Sequence, residues 1–215
     1  GVAVDNSSSN NLLASVVGRG GSNDATRLNS TWFGRAKIIE GLTAEYRFNY
    51  QTLFSESDTY SKSVDRVNFR TGEIRPGVSS SDATTYRSTT KYWNRTQTAT
   101  LNYIKSINDH DFGVLLGAEQ YYWNVKGFNA SRTGLLDLSL PDFTAALDKL
   151  DPVLGGTPEQ DYAVASLFGR INYSYKQRYL LEMNLRRDGS SRFGPEYRWG
   201  TFPSFSAAWR INEEE

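Results

Sequence analysis

The sequence predicts an all-β chain: an antiparallel meander of about seven long strands forming part of a transmembrane β-barrel wall, with short periplasmic turns and long extracellular loops. Three observations carry this reading. Seven stretches alternate apolar and polar residues at period two, the spacing at which successive side chains leave a strand on opposite faces. One face of each is free of charge: alternate positions counted from Trp32, Leu42, Ala99, Phe112, Ala163, Tyr179 and Phe205 contain no Asp, Glu, Lys or Arg, although such residues make up 22% of the chain. The connections alternate as well, short at Glu40-Gly41, Ser106 to His110 and Tyr175 to Arg178, and long or glycine-rich near 58 to 90, 128 to 160 and 189 to 200. Hairpins closed tightly at one end and loosely at the other are the pattern of outer-membrane barrels.

Taken in order, residues 1–30 are rich in Ser, Asn and Gly, with a short apolar piece from Leu12 to Val17, and read as an extracellular loop. Strands are expected near 31–39, 42–57, 91–105, 111–127, 161–175, 179–190 and 200–212, so the barrel section covers 31–213. The second is the clearest. Leu42, Ala44, Tyr46, Phe48 and Tyr50 share one face, and Thr43, Glu45, Arg47, Asn49 and Gln51 the other. Tyr179, Leu181, Met183 and Leu185 oppose Glu182, Asn184, Arg186 and Asp188 in the same way, with Leu180 the exception. Charges collect opposite the apolar positions, at Arg35, Lys37, Glu45, Arg47, Glu119, Arg170, Glu182, Arg186 and Arg210. Aromatic residues fall near the apolar strand ends, at Trp32, Tyr50, Tyr103, Phe112, Tyr122, Tyr173, Tyr175, Tyr179 and Trp209, where a ring can sit in hydrocarbon and its polar atom in water.

Composition narrows the function. The 24 Lys and Arg balance 24 Asp and Glu, leaving no basic surplus for nucleic acid. Cysteine is absent and His110 is the one histidine, which removes thiolate chemistry and makes a zinc or serine-histidine site improbable. No apolar run approaches the roughly 18 residues of a membrane helix. Gly1 opens the chain and Met183 is its one methionine, the mark of a processed or excised piece. No catalytic, cofactor or metal site is expected, and no enzyme. His110 between Asp109 and Asp111 reads as a solvated turn, and Asp188-Gly189-Ser190-Ser191-Arg192 as a turn before it reads as a site. Gly18-Arg19-Gly20-Gly21 and Gly155-Gly156 lack the strand-to-helix setting of a phosphate loop. Ser139 to Asp142 has capping-box spacing ahead of Leu147 and Leu150, which predicts a short helix inside the second long loop. The functional candidates are the polar row Glu45, Arg47, Glu182, Asn184 and Arg186, expected to face a water-filled lumen, and the loop aromatics Tyr86, Tyr92, Trp93, Tyr121 and Trp123. Spacing alone leaves a second reading open: a soluble β-sandwich that binds carbohydrate, since a sandwich also has one charge-free face.

The stretch 178–213 contains the strand Tyr179 to Asp188, then Arg187-Asp188-Gly189-Ser190-Ser191-Arg192-Phe193-Gly194, Gly200-Thr201-Phe202-Pro203-Ser204 and Trp209-Arg210-Ile211. It closely resembles a barrel signature of the SusC/RagA family of TonB-dependent outer-membrane transporters. Glu40-Gly41-Leu42 and Asp111 to Gln120 are looser matches. The resemblance implies an outer-membrane barrel of roughly 22 strands, in a Gram-negative, Bacteroidota-like cell. It implies energy supplied by the TonB complex through an N-terminal part that this stretch does not contain. It also implies import of an oligosaccharide or peptide, with a SusD-like surface lipoprotein as partner and outer-membrane lipid around the wall.

Overall fold

The computed structural model of the chain describes residues 3–4, 18–62, 65–68, 70–77, 82–135, 137, 139, 141–147 and 152–214. Its long strands are β2 (Arg19–Ile39), β3 (Leu42–Ser61), β6 (Thr84–Ile107), β7 (His110–Thr133), β9 (Gln160–Tyr175), β10 (Tyr179–Ser190) and β11 (Trp199–Trp209). Short pieces complete the set: β1 (Ala3–Val4), β4 (Arg66–Val67), β5 (Ile74–Arg75) and β8 (Val153–Gly155). The long strands form one sheet in the order β11-β10-β9-β7-β6-β3-β2, with β8 added beside β7. Each long strand thus pairs with its neighbours in sequence, as a meander requires. The three short strands β1, β4 and β5 make a separate small sheet.

Tight turns set the register at one end. Gly41 takes φ +79, and a Cβ there would stand 2.3 Å from the Ile104 carbonyl oxygen, so glycine is required twice over. Asn108 takes φ 51, within the usual tolerance of Asn for left-handed backbone. Lys176 and Gln177 adopt φ 49 and 55, the paired positive angles of a two-residue hairpin turn, without the glycine or asparagine that such turns favour. From that turn the β9/β10 ladder runs unbroken, Tyr179 opposite Tyr175 through Ser190 opposite Val164. The β10/β11 ladder runs from Tyr179 opposite Trp209 to Gly189 opposite Trp199.

Several strands are longer than the alternation predicts. β2 begins at Arg19, inside the stretch expected to be loop, and β6 begins at Thr84 rather than near 91. The reason is legible afterwards: Arg19 to Ser30 carries mostly polar residues at both parities, so backbone pairing holds it as strand without a period-two signal. Leu12 to Val17 lies outside the described residues. At the other terminus β11 stops at Trp209, and Ile211, counted with the charge-free face, lies in a 3-10 turn, Ile211–Glu213.

The chain divides into two units. One comprises Leu28–Thr52, Trp93–Asn124 and Gln160–Glu215, and holds the alternating strand segments and the tight turns. Its charge-free face is exposed, with Leu167 at 58%, Leu181 at 50%, Met183 at 60% and Leu185 at 54%. These are the residues a sandwich would bury, so the face predicted from spacing exists but is no sandwich core. The other unit is drawn from Gly1–Arg27, Leu53–Tyr92 and Val125–Glu159. It contains a small buried apolar cluster, Ala83, Leu135 and Ala146. Leu135 bridges to Ala146 in antiparallel fashion. The chain exposes 15251 Å², against roughly 10,000 Å² for a self-contained folded protein of this mass. Its apolar surface therefore has to be covered by something else.

Candidate functional site: the charged face of the sheet

Alternation along β2 and β3 sets Arg35, Glu45 and Arg47 on the face opposite Ala44, Tyr46 and Phe48. Arg35 donates from Nε at 2.9 Å and from Nη2 at 2.6 Å to Glu45 Oε2, and Arg47 Nη2 donates to the other carboxylate oxygen at 3.0 Å. Arg47 also lies over the Phe33 ring, 5.9 Å from its centroid. Two of the five predicted lumen-facing residues, Glu45 and Arg47, are thus joined directly, and Arg35, which is not among the five, takes the other carboxylate oxygen.

The other three fall into two further clusters on β6, β7, β9 and β10, Glu182 with Asn184 in one and Arg186 in the other. Asn184 donates to Glu182 Oε1 at 2.8 Å and accepts from Arg170 Nε at 2.8 Å. Arg186 Nε is shared between the Asp188 oxygens at 2.8 and 3.0 Å, while its Nη2 reaches Ser166 Oγ at 3.0 Å and Glu119 Oε1 at 3.4 Å. Thr98 donates to the remaining Glu119 oxygen at 3.1 Å. Beneath Arg186 lies the Phe168 ring, 5.5 Å away, seated against Gly117, where a Cβ would come within 2.2 Å of the ring. Together the three clusters contain four arginines (35, 47, 170, 186) and four carboxylates (45, 119, 182, 188). Every one of these pairs is partly exposed, where solvent screens the attraction and holding two long side chains costs entropy, so the row is no major source of stability. Its chemical property is a charged surface whose opposite charges are paired in fixed positions. Arg35, Glu119, Arg170 and Asp188 share the parity of the predicted residues, which is the signal that places them; Ser166 and Thr98 give no such signal, because short hydroxyl side chains occur on either face.

The opposite face has its own order. A band of rings crosses β7, β9, β10 and β11 beside the tight turns: His110 to Tyr175 is 4.9 Å between centroids, Phe112 to Tyr173 5.2 Å, Tyr175 to Tyr179 6.4 Å and Tyr179 to Trp209 6.3 Å. A second band links Tyr50, Trp93 and Tyr122 at 6.2 and 5.0 Å. The loop aromatics therefore separate: Trp93 joins this band, whereas Tyr121 and Trp123 gather around Tyr162 at 5.7 and 5.3 Å on β7's other parity.

The remaining candidates resolve into structure. His110 Nδ1 lies 2.8 Å from the Tyr173 hydroxyl, a packed band residue. Asp188 is taken by Arg186, and Ser191 closes its turn by exchanging hydrogen bonds with Ala163. The helix expected after Ser139 is not formed among the described residues. Asp142 instead accepts from the Thr144 hydroxyl and, at 2.7 Å, from its backbone N–H, a local turn that competes with helix. Those bonds, the hydroxyl's first, hold the Asp142 carboxyl below the usual aspartate range. Ser139 does the same for Asp137, mainly through its backbone N–H.

Comparison with known proteins agrees with this geometry. No protein-family profile matches the chain. It is 35% identical over 114 residues to TonB-dependent receptor SusC of Bacteroides thetaiotaomicron, covering 53% of the chain and 11% of that protein. It is 26% identical over 190 residues to TonB-dependent receptor P3 of Formosa agariphila, covering 86% of the chain and 17% of that protein. The chain thus spans well under a fifth of the length of these relatives. Among solved structures, the RagAB peptide transporter superposes with a TM-score of 0.77 at 21% identity over 93% of the chain and 22% of its own. The RagAB peptide importer in its open-open state gives 0.80 at the same identity. By sequence over about half its length, and by fold over nearly all of it, the chain is similar to a segment of the barrel of SusC/RagA-type TonB-dependent receptors.

Proposed function

We propose that the chain is a section of the barrel wall of a transporter in the outer membrane, importing glycans or peptides with a SusD-like lipoprotein and energised through TonB. In this reading Glu45, Arg47, Glu182, Asn184 and Arg186 line the wet interior, where they hold water or meet a plug, and Leu167, Leu181, Met183 and Leu185 meet lipid. The observation that carries it is the division of one sheet into an exposed apolar face and an opposite face of balanced ion pairs. The two ring bands support it by their separation. Phe112 and Tyr122 lie on the same face of β7, and the ten residue steps from one to the other span about 34 Å along the strand. At the tilt usual in such barrels this gives roughly 26 Å along the membrane normal, close to the height of an outer-membrane apolar band.

The absence of cysteine offers a direct test. In the complete receptor, cleared of any other cysteines, single substitutions Phe48→Cys and Arg47→Cys are reacted in native membranes with a water-soluble maleimide. Reaction at 47 and protection at 48 is the expected result; the reverse pattern would overturn the assignment of faces.

A further inference from the structure

In the unit that holds the alternating strand segments, two charges stand on the apolar side of the sheet, just past the outer end of its charge-free run. Arg95 lies on β6 at the parity of Ala99 and Leu101, and Asp161 on β9 at the parity of Ala163 and Leu167. Both flank one ring. The Arg95 guanidinium lies over Tyr122, 5.4 Å from its centroid, and the Tyr122 hydroxyl donates to Asp161 Oδ2 at 2.8 Å. Arg95 Nε is shut away from solvent without a hydrogen-bond partner among the described residues, while the side chain as a whole stays partly exposed. Although they share this neighbour, Arg95 and Asp161 form no ion pair with each other, and neither has another charged partner among the described residues. On the opposite face Arg35, Arg47, Arg170 and Arg186 each have a carboxylate. Two opposite charges left unpaired beside one ring are the exception in this sheet.

Their level on the sheet limits what can meet them. Tyr122 belongs, with Tyr50 and Trp93, to the ring band farther from the tight turns. In the transporter reading, hydrocarbon gives way to lipid headgroups at that band. A cation on the lipid side is costly at mid-membrane and tolerated at this level, where phosphate is within reach. A phosphate alone would satisfy Arg95 and be repelled by Asp161, and an ammonium alone would do the reverse. A headgroup that carries a phosphate and a primary amine satisfies both. Farther along the same face, Gly34, Ala36, Ala44, Ala99 and Ala118 floor an open apolar trough of about 690 Å³ beside Tyr46. Ala99 is four residues from Arg95, about 13 Å along β6, which leaves room for the linker between a headgroup at Arg95 and an acyl chain in the trough.

We propose that Arg95 and Asp161 hold the phosphoethanolamine headgroup of an outer-leaflet lipid, Arg95 on its phosphate and Asp161 on its ammonium, with an acyl chain in the trough. The proposal rests on the outer-membrane reading for the presence of lipid. It is tested by native mass spectrometry of the complete receptor, delipidated in detergent and titrated with phosphatidylethanolamine or phosphatidylglycerol. The wild type retains phosphatidylethanolamine about three- to tenfold more tightly than phosphatidylglycerol. Arg95→Gln weakens retention of both lipids by a similar factor. Asp161→Asn, which still accepts from Tyr122, erases the preference and holds phosphatidylglycerol no less tightly than the wild type. Soluble glycerophosphoethanolamine at the same concentration does not displace the lipid, because it lacks the chain. Equal retention of the two lipids by the wild type, a preference that survives Asp161→Asn, retention unchanged by Arg95→Gln, or displacement by the soluble headgroup overturns the proposal. The cysteine labelling at 47 and 48 reads the faces of the wall and not this site, so labelling as expected with no lipid preference sinks the site alone.

Discussion

Leu181 and Asn184 sit on the same strand at opposite parities, and their surroundings differ completely. Leu181 is half exposed on the apolar face, whereas Asn184 bridges Arg170 and Glu182. With the apolar face in lipid, Leu181→Arg is expected to destabilise the complete receptor by about 2 to 4 kcal/mol, with Asn184→Arg far milder. Chemical unfolding from lipid bilayers measures the difference, and equal losses would mean the faces are misassigned. Glycines permit a second residue-level comparison. At Gly117 a Cβ would lie 2.2 Å from the Phe168 ring, while nothing lies within 4 Å of one at Gly34. Gly117→Ala should therefore cost about 1 to 3 kcal/mol through overpacking, lower the melting temperature and loosen Arg186 above the ring, with Gly34→Ala close to neutral.

At the scale of elements, the turn between β9 and β10 is the least favourable local choice in the wall. Lys176 and Gln177 both take left-handed backbone, which costs an ordinary residue roughly 1 to 2 kcal/mol. Gln177→Gly is expected to recover about 1 kcal/mol of that, visible as a rise in melting temperature with the labelling pattern of β10 unchanged. The turn at 142–144 responds to acid. Its hydrogen bonds depress the Asp142 carboxyl, so their contribution is complete above the ordinary aspartate range. It declines as pH falls below that range and is gone beneath the depressed value. Hydrogen exchange at the Thr144 amide, measured from neutral pH downward and corrected for intrinsic rate, should show protection lost only in that acidic window. Protection already lost near pH 6 would show that the carboxylate does not hold the turn.

For the whole molecule, the sheet order leaves β2 and β11 with one long-strand neighbour each, and the surface exceeds that of a self-contained domain by about half. Unpaired edges and an uncovered apolar face predict that residues 1–215 expressed alone in water aggregate, and that denaturant or detergent is needed to recover them. A monomeric, cooperative melt without detergent would contradict the barrel assignment. The period-two pattern alone determined the strands, their faces and the tight turns, because alternation between oil and water is written residue by residue in polarity. It also indicated which charges share a side. What it missed lies where that constraint is absent: the polar start of β2, extended by backbone pairing alone, and the turn found at 142–144 in place of a helix because the Asp142 carboxylate captures the backbone N–H and hydroxyl of Thr144. Which charges pair, and that Phe168 settles on Gly117 beneath Arg186, were decided only by the tertiary structure. They depend on strand register and on contacts between residues far apart in sequence, and neither is encoded in any local run of side chains.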